Sequence, residues 1–134
     1  MSRRKSAKNV PIPGWLSANL DCKEGRFIQV GNSLLLSEDF QALKPTTQNL
    51  YLCLAMESGG RPVVKLSHSA ALRKYGMPHT TYDRAVKELV AKGFIERVND
   101  EEYSQFRTNE FRFSTVWKQK PVDNKHDLGR NKGN

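Results

Sequence analysis

Apolar residues recur along positions 79–92 at a helical interval. Tyr82, Ala85, Val86 and Leu89 fall at i, i+3, i+4 and i+7, so they make one stripe of a helix. Thr80, Arg84 and Lys87 fall on the opposite face with the same spacing. Gly93 stands where a left-handed residue ends such a helix, and Lys92 suits its negative end. Upstream, Ser67 caps a second helix whose buried side is Ala70, Ala71, Leu72 and Tyr75. Gly76-Met77-Pro78 between them fits the short, glycine-containing turn that joins two helices at a steep angle.

The remaining pattern supplies a frame for this pair. A long helix opens at Pro45, whose missing N–H has no partner at the first helical position. It runs through Met56 and stops at Gly59-Gly60; its second half is apolar all round, as in a central buried helix. Val63, Val64 and Leu66 make a short strand. Residues 94–98 leave the third helix as another strand. Residues 109–114 alternate apolar and polar with period two, so they form a strand buried on one face. Val116 and Trp117 close the domain. Nearer the N-terminus, residues 27–30 are extended, and Ser37 caps a short helical turn with Glu38 and Asp39 in it.

These elements predict an α+β domain over residues 27–117, with three main helices and a small antiparallel hairpin. Residues 1–26 contain Pro11, Pro13, Gly14 and Gly25 without sustained periodicity. They read as a basic arm, anchored by Trp15 and Leu16. Residues 118–134 lack apolar content and read as a disordered basic tail.

Charge changes this picture from a plain small domain to a binding one. The 134-residue chain carries a formal charge of +8. Residues 1–26 hold six Lys/Arg against two acids, and residues 118–134 hold five against two. The part between is nearly neutral but polarised: residues 61–97 carry eight basic and three acidic groups. A basic face flanked by basic arms is the electrostatic footprint of a nucleic-acid binder, although short basic tails also serve solubility alone. No apolar run has transmembrane length, and the basic start has no apolar stretch behind it, as a secretory signal would. Cys22 and Cys53 lack metal-ligand spacing; Cys53 reads as a small core hydrophobe in a reduced, cytoplasmic protein.

A helix with its back in the core and cations on its front has the right size for a DNA major groove. His79, Thr80 and Thr81 would enter first, with hydroxyls and free backbone N–H groups for phosphate oxygens. Arg84 can pair in bidentate fashion with guanine, and Lys87 follows one turn on. Arg73 and Lys74 end the second helix, where cations suit the dipole or touch the backbone. Arg61 and Lys65 precede that helix and could grip flanking phosphates. Arg97 and Arg107 lie at the base of the hairpin, whose tip carries Asp100, Glu101 and Glu102. Such a tip is expected off the phosphates, solvated or against a protein partner. The plainer alternative is an ordinary surface helix with Asp83 and Lys87 as an i,i+4 pair. His68, His79 and His126 show no ligand spacing with Cys or acids, so neither metal nor cofactor is expected. Phosphate-loop and dinucleotide patterns are absent, as is a general acid/base pair, so no enzyme is expected.

Together, these residues resemble a winged helix-turn-helix domain. Residues 27–35 (FIQVGNSLL) and 40–51 (FQALKPTTQNLY) resemble the opening of plasmid and phage replication-initiator proteins of Gram-positive bacteria. Residues 80–89 (TTYDRAVKEL) and 92–95 (KGFI) resemble the recognition helix and wing entry of that group. Gly31 stands where those initiators usually carry proline, and their long C-terminal region has no counterpart here. The resemblance implies a non-catalytic binder of double-stranded DNA from a mobile element. Its role would be transcription regulation or DNA replication initiation, in the bacterial cytoplasm at the nucleoid or a plasmid. A homodimer is left open. The rival expectation is a protein–protein interaction module using the same surface without specific DNA binding.

Overall fold

The computed structural model describes residues 9–98 and 109–118. It is an α+β fold, with five helices and two small antiparallel sheets among the described residues. The elements run β1 (Val10–Pro11), β2 (Lys23–Glu24), α1 (Asn32–Leu36), α2 (Glu38–Gln41) and α3 (Pro45–Ser58). Then follow β3 (Val63–Lys65), α4 (His68–Tyr75), α5 (His79–Ala91), β4 (Ile95–Arg97) and β5 (Glu110–Phe113). Short 3-10 turns lie at Gly14–Leu16, between β1 and β2, and at Val116–Lys118, where the described chain ends.

Local chemistry accounts for most of these boundaries. Ser37 accepts hydrogen bonds from the backbone N–H of Asp39 and Phe40 and so starts α2. Ser67 accepts from the N–H of Ala70 and starts α4. Pro45 opens α3 without wasting a donor. Gly93, at φ +85°, lets the chain reverse after α5, so that Phe94 N–H reaches Leu89 C=O at 2.9 Å.

The second sheet has β5 in the middle, in the order β3-β5-β4. Val64 and Arg97 both lie opposite Phe111, and Ile95 lies opposite Phe113. This register turns Val64, Phe111 and Ile95 to one face, and all three are buried. The same core takes Leu50 and Leu54 from α3 and Tyr82, Val86 and Leu89 from α5. Phe94 sits among aromatic rings, stacked on Trp117 at 4.6 Å and edge-on to Tyr51 at 5.5 Å. Burying side chains of this size stabilises by about 1.5–3 kcal/mol each.

Four expectations are corrected. Residues 9–26 are not a featureless arm, because β1 and β2 pair as a hairpin, Val10 opposite Glu24. Trp15 does not anchor them: it is 85 % exposed, and Leu16 is exposed too. On α4, Leu72 is 55 % exposed, because α4 is one short amphipathic helix whose packed side is Ala71 with Ala70 and Tyr75. At the end of the domain Trp117 packs on the core while Val116 stays exposed. The expected acidic hairpin tip, Arg107, the basic residues 1–8 and residues 119–134 lie outside the described residues.

Candidate functional site

Helix α5 is oriented as its periodicity predicts. Tyr82, Ala85, Val86 and Leu89 are buried, and the helix packs on α3 and α4. Thr80, Arg84 and Lys87 are exposed, with Thr81 half-buried beside them. The turn before the helix holds it in place. Gly76 adopts the left-handed conformation at φ +69°, and Met77 N–H bonds back to Ala71 C=O at 3.2 Å. Met77 itself is buried, so the turn is pinned from below.

Tyr82 ties the helix to the sheet. Its hydroxyl donates to Leu66 C=O and accepts from the Asn109 side-chain amide at 3.0 Å. A buried phenol is thereby satisfied on both counts, and burial pushes its pKa up.

The two acids of α5 are both drawn away from its cations. Glu88 accepts the Thr47 hydroxyl at 2.6 Å and approaches Lys44 N–H at 3.4 Å. It therefore serves the first turn of α3, where backbone donors need acceptors. Asp83 accepts from His68 Nε2 at 2.7 Å and lies 3.1 Å from His79 Nε2. The Asp83–Lys87 pair of the plainer alternative is not among the ion pairs of the described residues; the histidines occupy the carboxylate. Partial burial raises the Asp83 carboxyl, but the hydrogen bond from His68 and the charges of both histidines outweigh it, and the net shift is downward. Arg84 and Lys87 consequently have no ion-pair partner among the described residues.

The other expected cations divide into three groups. Arg61, Lys65 and Arg73 are exposed, with no ion pair among the described residues. Lys74 is engaged: its ammonium sits 2.6 Å from Glu57 of α3. Tyr75 also donates to Glu57. Partial burial raises the Glu57 carboxyl, yet these two hydrogen bonds and the charges of Lys74 and Arg26 hold it below the usual carboxylate range. Arg97 is exposed, and its guanidinium lies 5.6 Å from the centre of the Phe111 ring.

The grouping that sequence reasoning missed is His68, His79 and Asp83. Their ligand-capable atoms all lie within 4.8 Å of one another, and the two imidazoles stack at 3.9 Å. His79 and Asp83 are one turn apart on α5, a spacing legible in the chain. His68 comes from the start of α4, and only the turn between the helices brings it there. A concavity of about 610 Å³ lies elsewhere: Phe27, Val30, Leu34, Tyr51 and Phe113 are among its lining, and no α5 residue is.

No family model matches the chain, and neither does any curated protein or solved structure.

Proposed function

We propose that the chain is a winged helix-turn-helix domain that binds double-stranded DNA, with α5 entering the major groove. The carrying observation is the separation of charge on α5. Arg84 and Lys87 stand exposed on its outer face, while Asp83 and Glu88 of the same helix are engaged by other segments. A helix arranged this way presents cations to a polyanion without internal neutralisation.

Three further features support the reading. The order helix, strand, helix, helix, strand, strand, with β5 between β3 and β4, supports the winged-helix reading. The chain is strongly basic at +8. Arg61, Lys65 and Arg73 remain available for phosphates around the groove-facing helix. In this proposal Arg84 and Lys87 read or grip bases, and Thr80 and Thr81 bind backbone at the helix start. The role is that of a non-catalytic regulator or origin binder of a bacterial mobile element.

The test is binding of a labelled random duplex across a salt series, followed by selection of a preferred site. Affinity is expected to fall steeply with salt as counterions are released. Arg84→Ala should weaken the selected site more than random DNA, whereas deleting residues 1–8 should weaken both alike. A flat salt response, with no site selected, would overturn DNA binding in favour of a protein-docking surface.

A further inference from the structure

We infer that His68, His79 and Asp83 form a binding site for a divalent first-row transition metal ion, linking the start of α4 to the first turn of α5. The inference stands apart from the DNA-binding proposal and does not need it.

Convergence of the donors carries the argument. His68 Nε2 and His79 Nε2 both point at one carboxylate, one at each oxygen, at 2.7 and 3.1 Å. All three donor atoms lie within 4.8 Å of one another. An ion bound at about 2.0–2.2 Å from imidazole nitrogen and carboxylate oxygen needs its donors roughly 3–3.5 Å apart. In this proposal the two imidazoles, stacked at 3.9 Å with 27° between their planes, splay apart so that both ring nitrogens face one ion. Both imidazoles present the same ring nitrogen, so one ion can replace the two hydrogen bonds to Asp83 without reversing either ring.

The donor chemistry narrows the ligand. Two imidazoles and one carboxylate suit zinc and its first-row neighbours, and suit calcium or magnesium poorly, since those prefer all-oxygen shells. Side-chain exposures of 38 % for His68, 46 % for Asp83 and 67 % for His79 leave one side open for entry and for a water in the fourth position. The Tyr82 ring, 4.7 Å from the His68 ring, walls the inner side. Both histidines are the first residues of their helices, and the positive ends of two helix dipoles oppose a cation. Affinity is therefore expected in the micromolar range, not the nanomolar range of closed structural sites.

The test uses the full chain, purified without a histidine tag and stripped of metal, titrated with zinc chloride by calorimetry and thermal melting. The expected result is saturable one-to-one binding with a rise in Tm. Cobalt chloride should give visible absorption bands of a low-symmetry complex. His68→Ala and Asp83→Asn should each weaken zinc binding about 10-fold or more and abolish the cobalt bands. His126→Ala should leave both signals unchanged. If His68→Ala fails to fold, the more exposed His79→Ala takes its place, with circular dichroism checking its helices. Wild-type protein without saturable zinc binding would overturn the site. So would Asp83→Asn and either histidine variant binding as wild type, or a loss of binding in His126→Ala.

Discussion

Glu88, three-quarters of the way along α5, accepts the hydroxyl of Thr47, which lies buried in the first turn of α3. The contact spans 41 positions of sequence. It joins the two longest helices, which supply six of the fifteen residues of the core cluster, and it draws a carboxylate of α5 toward α3.

Replacing Thr47 by valine keeps the shape and deletes that donor. The expected loss is about 1.5–3 kcal/mol, the range for a hydrogen bond to a charged group. Urea unfolding should show a lower midpoint with an unchanged slope. An unchanged midpoint would mean that water serves Glu88 equally well.

Leu89 and Leu72 test the orientation of the two helices. Leu89 is fully buried at the α3–α5 interface, so Leu89→Ala should destabilise by roughly 2–5 kcal/mol. Leu72→Ala, on the exposed side of α4, should fall within about 0.5 kcal/mol of the parent. Equal losses would place α4 differently from its position here.

Two left-handed glycines separate backbone strain from crowding. A Cβ on Gly76 would meet nothing within 4 Å, so Gly76→Ala should cost only the conformational penalty, about 1–2 kcal/mol. A Cβ on Gly93 would stand 3.2 Å from the Trp117 backbone N and 3.3 Å from Val116. Gly93→Ala should therefore lose more, and thermal melting of the two variants side by side measures the difference. A smaller loss at Gly93 would contradict the packing of the last turn on the α5–β4 corner.

Acid should loosen the α3–α4 junction through Glu57. Its carboxyl is held below the ordinary value of 4.5, so the folded state favours the carboxylate. A depressed carboxylate contributes stability that is whole above its unfolded value and lost as pH falls through the folded one. The parent should lose stability below about pH 4.5 faster than Glu57→Gln, whose side chain does not titrate. Parallel acid limbs in denaturation at a series of pH values would show that Lys74 and Tyr75 do not favour the charged form.

The sequence by itself determined the elements whose signals are local. The i, i+3, i+4, i+7 stripe of Tyr82, Ala85, Val86 and Leu89 follows from 3.6 residues per turn, and all four are buried. Ser37, Ser67 and Pro45 mark helix starts because a cap acts within three residues of its own position. Tertiary structure decided what depends on the meeting of distant segments. The β1–β2 hairpin has no periodicity long enough to announce it, since each strand is two residues. Leu72 looks like a core residue until the course of α4 relative to α3 and α5 leaves it outside. The candidate site divides in the same way: the outward placement of Arg84 and Lys87 was legible, but the partners of the neighbouring acids were not. Asp83 meets His68 across 15 positions and Glu88 meets Thr47 across 41. The period of a helix tells which side a residue faces, and only the packing of one helix on another tells what it finds there.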